Sequence, residues 1–171
     1  LRAYHGGKQA PVVNGAGGSN SMIKPSASSC DVVILCGGQG TRIKDSLPDG
    51  TPKALADING VPFLKLLLDR LTGSGFNRFV FLTGYGHEVL YGWLAENLPT
   101  NCHWRVSRED QPLGTGGAIL QAMSAELIGS NVFFAVNGDT VIDIDYQMML
   151  EIYANHFEIN DDDAGNNILK V

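Results

Sequence analysis

Short apolar runs that each end at a glycine-containing loop recur along this chain, and they constrain its fold more than any other feature. The segments VVILC (32–36), RFVFL (78–82) and VFFAV (132–136) are such runs, and CHWRVS (102–107) is a shorter candidate. Continuous apolar stretches of this length, rich in β-branched and aromatic residues, are typical of parallel strands that are buried on both faces.

Amphipathic segments of helical length separate these strands. We predict helices that start near Pro62 and end at Gly73–Gly75, and over 87–98, 116–128 and 146–157, the last with Asp145 as its N-cap. Alternating strands and helices indicate βαβ units. The expected fold class is therefore α/β: a three-layer α/β/α, Rossmann-like arrangement on a mainly parallel sheet.

Composition separates the first 30 residues from the rest. Residues 1–30 are rich in Gly, Ser, Asn and Pro without periodicity, so we interpret them as a flexible arm, a linker or a tag remnant, and residues 31–171 as one domain. Residues of the hydrophobic class make up 44% of the chain, enough to bury a core.

Charge and cysteine content exclude several partners. The formal net charge of −6 argues against a nucleic-acid partner, and no run approaches the 18 apolar residues of a membrane span. Cys30, Cys36 and Cys102 form neither a CxxC pair nor an even disulfide set, which favours a reducing, cytoplasmic location.

Ligands of parallel α/β sheets bind beyond the carboxyl ends of the strands, so the loops there are the candidate site. The first loop, GGQGTR, offers backbone amides that an anion can approach closely, followed by Arg42 and then by Lys53 in TPK. Guanidinium and ammonium groups bind phosphate. Proline restricts the backbone before it and so directs Lys53.

Two common phosphate motifs are absent from this loop. No GxxxxGK[ST] sequence occurs, and a dinucleotide fingerprint would need glycine where Ile43 stands. Taken alone, the glycines favour a plain tight βα turn over a phosphate cradle. For Arg42 and Lys53 the alternative is the usual role of exposed, solubilising cations.

Two further loops follow predicted strands. EDQPLGTGGA (109–118) leads into a helix whose N-terminal amides could read an anion or the edge of a nucleobase. In VNGDT, Asp139 follows a buried strand, and a carboxylate there suits Mg²⁺, which binds one or two carboxylates together with substrate phosphates. The alternative for Asp139 is a turn-forming role. We expect Cys36 to be a packing residue.

Taken together and in this order, LCGGQGTR, TPKAL, QPLGTGGAI and NGD resemble the sugar-phosphate nucleotidylyltransferases. Cys36 and Gly117 make the chain most similar to the branch that acts on D-glycero-D-manno-heptose 1-phosphate, and mannose-1-phosphate guanylyltransferases are also similar. The resemblance covers residues 31–145.

The resemblance implies the transfer of a nucleoside monophosphate, GMP from GTP in the similar branch, to a sugar 1-phosphate with release of pyrophosphate. It implies Arg42 and Lys53 as catalytic residues and Asp139 as the ligand of Mg²⁺. It also implies a nucleotide-binding set of Leu35, Gly37, Gly38, Gly40, Thr41, Gln111, Gly114, Thr115 and Gly116. The implied partners are a nucleoside triphosphate and a sugar 1-phosphate.

The family's domain continues beyond the point at which this sequence ends, so the nucleotidyltransferase domain is expected to be truncated at its C-terminus. Nucleotide binding is then better supported than turnover by this chain alone. The alternatives are a nucleotide-binding regulatory module, an inactive fragment, a molybdenum-cofactor guanylyltransferase or a dinucleotide-binding oxidoreductase. We expect an incomplete sheet to favour pairing into a homo-oligomer.

Overall fold

A five-stranded, mostly parallel sheet organises the chain. The computed structural model describes residues 3–6, 24–38 and 47–156. The sheet's strands are β1 (Ala3–Gly6), β2 (Asp31–Leu35), β5 (Arg78–Thr83), β6 (His103–Arg108) and β7 (Phe133–Asn137), and β3 (Asp57–Ile58) and β4 (Val61–Pro62) form a separate hairpin. The strands of the sheet lie in the order β1-β6-β5-β2-β7. The pairs β2–β5, β2–β7 and β5–β6 are parallel, and β1 pairs antiparallel with β6.

Helices cover both faces of the sheet and give it three layers. The helices are α1 (Phe63–Gly73), α2 (His87–Asn97), α3 (Gly114–Ser124) and α4 (Tyr146–His156). Alternate residues of β2 face opposite ways: Val32 and Ile34 pack with α1, α2 and α4, whereas Val33 packs with α3. The predicted α/β class with a mainly parallel sheet is therefore confirmed.

Local sequence signals fix most element boundaries. Asn59 and Gly60 both have positive φ, 55° and 87°, and turn the β3–β4 hairpin as their sequence predicts. The N-cap prediction for α4 is also confirmed, because the amide of Met148 donates to the Asp145 carboxylate at 3.0 Å.

The bounds predicted for α3 were wrong at both ends. The helix begins at Gly114 instead of residue 116 and ends at Ser124 instead of residue 128. Its C-terminus is set by Glu126, whose φ is 55°, after which the amide of Leu127 returns to the carbonyl of Ala122. Apolar residues beyond Ser124 therefore belong to the turn that leads to β7.

Two parts of the segment interpreted as a flexible arm differ from that interpretation. Ala3–Gly6 forms the edge strand β1, and Ala27–Ser29 forms a 3-10 turn whose Ala27 is buried in the core. Glycine and serine content masked these elements, because neither has a periodic apolar pattern.

The amino end of the sheet holds a buried ionic cluster around Asp31. Its carboxylate, 1% exposed, accepts hydrogen bonds from Arg78 Nε at 2.9 Å and from the amides of Gly129 at 2.7 Å and Ser130 at 2.9 Å. The amide of Asp31 in turn donates to Ser130 Oγ. This cluster ties β2 to β5 and to the turn before β7.

None of the helices in the described part of the chain combines the length and apolar composition that a membrane span requires.

Candidate functional site

A cleft of about 570 Å³ opens at the carboxyl edge of the sheet. It lies where β2, β6 and β7 end, and the entry to α3 and the segment carrying Lys53 close it. All three predicted loops contribute to it. Its lining consists of Leu35, Cys36, Gly37, Gly38, Lys53, Ala54, Leu82, Glu109, Pro112, Gly114, Thr115, Ala118, Asn137, Gly138 and Asp139.

Lys53 is aimed into this cleft by a tethered segment. Pro52 is extended (φ −70°, ψ 148°), and Lys53 starts a 3-10 turn whose next residue, Ala54, is buried. The amide of Gly50 donates to the Tyr85 hydroxyl at 3.1 Å, which holds the preceding loop against the end of β5. Gly86 permits this contact, since a Cβ there would lie 2.5 Å from the carbonyl oxygen of Gly50.

Asp139 faces Lys53 across the cleft. Lys53 Nζ donates to Asp139 Oδ2 at 2.6 Å, and the Thr140 hydroxyl donates to Oδ1 at 3.2 Å. The hydrogen bond from Lys53 is the largest influence on the Asp139 pKa and holds it below its ordinary value, against a smaller opposing effect of burial. The carboxylate is therefore ionised at neutral pH.

The glycine before Asp139 is required by packing. The amide of Gly138 donates to the carbonyl of Leu35 at 2.9 Å and extends the β2–β7 ladder past its last residue pair. A Cβ at Gly138 would lie 2.7 Å from Cys36 Sγ and 2.9 Å from the Leu35 oxygen. Close backbone contact with β2 thus fixes where Asp139 emerges.

Gly37 and Gly38 play different parts in the loop after β2. A Cβ at Gly37 would lie 2.5 Å from Glu109 Oε1, so the missing side chain at Gly37 leaves room for the Glu109 carboxylate beside the end of β2. A Cβ at Gly38 would have no atom of the described residues within 4 Å, and the Gly38 backbone borders the open cleft. Gly38 therefore leaves room for a ligand beside its amide.

Glu109 is a cleft residue that the sequence reasoning missed. It follows the last residue of β6, its amide donates to the Thr83 carbonyl at 2.8 Å, and its Oε2 accepts the amide of Leu113 at 2.7 Å. The carboxylate thus holds the loop that enters α3. Asn137 and Gly138 also line the cleft, and they lie in the VNGDT loop that the sequence indicated as part of the site. For Glu109 the available signal was its position at the carboxyl end of a strand.

The predicted site residues fall into three groups. Within the cleft lie Leu35, Gly37, Gly38, Lys53, Gly114, Thr115 and Asp139. Gln111 borders a smaller adjoining cavity of about 260 Å³, and Gly116 borders an apolar groove between α3, β7 and α4. Gly40, Thr41 and Arg42 lie outside the described residues.

Cys36 is packed at the back of the cleft and is not a nucleophile. Its side chain is 5% exposed, and burial, assisted by the neighbouring Asp139 charge, raises the thiol pKa to about 12. The thiol is therefore protonated at physiological pH, as a packing role requires.

The donor set at Asp139 fits a magnesium ion held jointly with a substrate. Among the described residues, no three His, Cys, Asp or Glu side chains gather around a point that could hold a metal by themselves. One carboxylate beside a cleft that can admit phosphate groups is the arrangement in which Mg²⁺ takes its remaining ligands from phosphates and water. The ammonium of Lys53 already places a positive charge at this carboxylate.

Comparison with known proteins identifies the family of the chain. A profile described as the MobA-like NTP transferase domain matches residues 32–160, which include every lining residue of the cleft. The chain belongs to this family. The predicted resemblance to nucleotidylyltransferases is therefore confirmed.

The chain is similar in sequence to two guanylyltransferases. The chain is 36% identical to D-glycero-alpha-D-manno-heptose 1-phosphate guanylyltransferase of Campylobacter jejuni over 113 residues, 66% of this chain and 49% of that protein. It is 29% identical to mannose-1-phosphate guanylyltransferase of Mycobacterium tuberculosis over 126 residues, 74% of this chain and 34% of that protein.

A solved structure of a related protein superposes on this chain. HddC from Yersinia pseudotuberculosis, in its structure complexed with GMP-PN, superposes with a TM-score of 0.63 at 37% identity, covering 72% of this chain and 54% of HddC. The chain thus spans about half the length of these heptose-branch and HddC relatives.

Proposed function

We propose that this chain carries the nucleotide-binding part of a sugar-1-phosphate guanylyltransferase, with residues 31–171 as the transferase portion. The observation that carries the proposal is the Lys53–Asp139 pair facing across a glycine-lined cleft at the carboxyl edge of the sheet. A cation for phosphate and an anion for metal, set beside glycine backbone amides, suit a nucleoside triphosphate.

The proposed reaction needs no protein nucleophile or general base. An anionic phosphate oxygen of the sugar 1-phosphate attacks the α-phosphorus of GTP and forms a new P–O bond. The bond from the α-phosphorus to the oxygen that bridges to the β-phosphate breaks, and pyrophosphate leaves with that electron pair. Catalysis then rests on holding two anions in line and stabilising the charge that develops.

Each part of the cleft has a role in this proposal. The amides of Gly37 and Gly38 line the phosphates, and Lys53 holds the α-phosphate and the incoming sugar phosphate. Arg42 would neutralise the departing pyrophosphate, as the resemblance of its loop to the nucleotidylyltransferases implies. Asp139 would hold Mg²⁺ together with substrate phosphates, and this ion supplies charge neutralisation when bound.

Base recognition is proposed for the loop between β6 and α3. Glu109 presents a carboxylate to the cleft, and a carboxylate only accepts hydrogen bonds. The Watson–Crick edge of guanine carries two neighbouring N–H donors, whereas that of adenine carries one donor group beside an acceptor. Glu109, with Gly114 and Thr115 beside it, would therefore favour guanine, in keeping with the guanylyltransferase relatives. We place Gln111 and Gly116 at the margin of this subsite.

The test is pyrophosphate release in the presence of Mg²⁺ from GTP, ATP, CTP and UTP, each with heptose 1-phosphate and with mannose 1-phosphate. We expect release from GTP with one of the sugars and none from Lys53→Ala. Glu109→Gln should reduce the preference for GTP over ATP, because a glutamine can donate as well as accept. Equal use of all four nucleotides would contradict the assignment of guanine.

A nucleotide-binding module without turnover is a second candidate, because the glycine-lined cleft and the Lys53–Asp139 pair would suit nucleotide binding whether or not transfer follows. Nucleotide binding without pyrophosphate release would favour it. Lys53→Ala separates the two cases: turnover should fall by orders of magnitude in an enzyme, whereas a module would show only weaker binding.

A cytoplasmic location and self-association complete the proposal. The three cysteines are buried and free, as a reducing compartment would keep them. Within the described residues β7 pairs only with β2, so its other edge is open to a further strand. Sedimentation of the purified chain at several concentrations would test self-association, and a single monomeric species would contradict it.

A further inference from the structure

The two charged side chains that face each other in the cleft neutralise one another. Lys53 Nζ lies 2.6 Å from Asp139 Oδ2, and their side chains are 44% and 36% exposed. Under the proposed function each of them has a different target, since phosphate requires the ammonium and Mg²⁺ requires the carboxylate. While the pair is closed, each group's charge is partly neutralised by the other and is less available to its target.

We propose that the Lys53–Asp139 ion pair makes the binding of a divalent cation and of a nucleotide mutually dependent. The proposal rests on the proposed function and adds to it that the cation and the nucleotide bind cooperatively. A divalent cation alone binds poorly, nucleotide alone binds modestly, and each strengthens the other because both must open the same pair.

Competition at one oxygen atom is the first argument. Thr140 donates to Oδ1 of Asp139, which leaves Oδ2 as the oxygen that Lys53 occupies. A divalent cation approaching this carboxylate meets the ammonium at hydrogen-bond distance, and like charges that close repel each other even where water partly screens them. A phosphate that draws Lys53 away removes this repulsion and exposes Oδ2 at the same time.

The scarcity of other ligands is the second argument. In the described ranges Asp139 belongs to no group of three or more His, Cys, Asp or Glu side chains that could hold a metal by themselves. A divalent cation without nucleotide would therefore find too few protein ligands beside a carboxylate whose charge is already neutralised by Lys53. Phosphate oxygens supply the missing ligands. The cation therefore depends on the nucleotide in two ways: the phosphate draws Lys53 away from Asp139, and it provides oxygen ligands.

The pair is also weak enough to open. Ion pairs between exposed side chains contribute little to stability because water and salt screen them. A triphosphate can therefore replace Asp139 as the partner of Lys53 at little cost in stability. The buried Asp31–Arg78 pair at the other end of the sheet, 1% exposed on the carboxylate side, is not open to such exchange.

The experiment measures metal binding without nucleotide. Free Mn²⁺ is followed by electron paramagnetic resonance during titration of wild type, Lys53→Met and the control Lys65→Met. Lys65 forms a comparable exposed pair with Asp69 at 2.5 Å on α1, outside the cleft. We expect Lys53→Met to bind Mn²⁺ about tenfold more tightly than wild type, because a repelling charge is removed, and Lys65→Met to match wild type.

Calorimetric titration with GTP, with and without Mg²⁺, completes the test. Wild type should bind GTP about tenfold more tightly with Mg²⁺, and this ratio should shrink in Lys53→Met. Asp139→Asn should abolish the gain in Mn²⁺ affinity in the Lys53→Met background. If the wild type binds GTP but Lys53→Met binds Mn²⁺ no more tightly than the wild type does, the proposed coupling is overturned. Absence of GTP binding in every protein, with the gain in Mn²⁺ affinity preserved, would instead overturn the proposed function and leave the competition at Asp139 supported.

Discussion

Two carboxylates at opposite ends of the same sheet differ in almost every physical respect. Asp31, at the amino end, is 1% exposed and accepts hydrogen bonds from Arg78 and from the amides of Gly129 and Ser130. Asp139, at the carboxyl end, is 36% exposed and is held by Lys53 and Thr140.

The difference separates structural from functional charge. A buried carboxylate remains ionised only if fixed partners replace its lost hydration, and those partners cannot be exchanged without unfolding. A half-exposed carboxylate with one long, mobile partner can exchange that partner for a ligand. We therefore interpret Asp31 as a structural cross-link and Asp139 as a binding residue.

The largest effect on stability is expected at Asp31. Asp31→Ala leaves the Arg78 guanidinium and two backbone amides without their acceptor, so the free energy of unfolding should fall by about 3–5 kcal/mol. Urea denaturation monitored by circular dichroism measures this loss. Ser130→Ala keeps the carboxylate and should cost much less. A loss below about 1 kcal/mol in Asp31→Ala would place this carboxylate with ordinary surface groups.

The opposite pattern is expected at Asp139. Asp139→Asn should reduce turnover, or Mg²⁺-dependent GTP affinity, by about a hundredfold, because the ligand charge for the cation is lost. Its free energy of unfolding should stay within about 1 kcal/mol of wild type, since exposed pairs contribute little. GTP titration with Mg²⁺ and urea denaturation of one protein preparation check both statements. Unchanged GTP affinity in Asp139→Asn would contradict the assignment of Asp139 as a binding residue.

Packing behind Asp139 gives an intermediate effect. Gly138→Ala places a methyl group against Cys36 Sγ and the Leu35 oxygen, so we expect a loss of about 1–3 kcal/mol from overpacking. Gly38→Ala is the matched control, because none of the described atoms lies near a Cβ at that position, and it should leave the melting temperature nearly unchanged. Equal losses in the two variants would contradict this explanation, because a Cβ meets β2 at position 138 and no described atom at position 38.

The smallest effect concerns pH and a buried base near the carboxyl edge. His87 is 3% exposed, its Nδ1 lies 2.9 Å from the Thr83 hydroxyl, and burial lowers its pKa below the ordinary value of 6.5. The unfolded chain therefore binds this proton at higher pH than the folded chain does. Stability should be full above the unfolded pKa and should decline as pH falls from there toward the folded pKa.

A variant isolates this contribution. Unfolding free energies measured at pH values about one unit above and one unit below the ordinary histidine pKa should differ less in His87→Gln than in wild type, because the titrating group is gone. A steeper pH dependence in the variant would contradict the lowered pKa of His87.

Much of this architecture could be predicted from sequence because it depends on local patterns. Apolar runs indicated the strands, Asn59 and Gly60 indicated the hairpin, and Asp145 indicated a helix cap. Lys53 and Asp139 were predicted from strand ends and from resemblance, although they lie 86 positions apart, and their direct contact became visible only in three dimensions.

Other features depend on long-range contacts and left no local signal. Asp31 directly precedes a buried run and resembles a boundary residue, yet it is the centre of a cluster that joins three segments. Glu109 resembled part of a polar loop, and its role follows from its contacts with Leu113 and the end of β2. Strand β1 pairs with β6, far along the chain, which its short polar sequence could not indicate.

The most direct test of the account is a map of amide chemical-shift changes in the ¹⁵N-labelled chain on addition of GTP and Mg²⁺. The account predicts changes at the carboxyl edge, at Gly37, Gly38, Gly114, Thr115 and Asp139, and none at Gly129 and Ser130 of the amino edge. Changes centred on Gly129 and Ser130, or no change at the five cleft amides under saturating nucleotide, would contradict it.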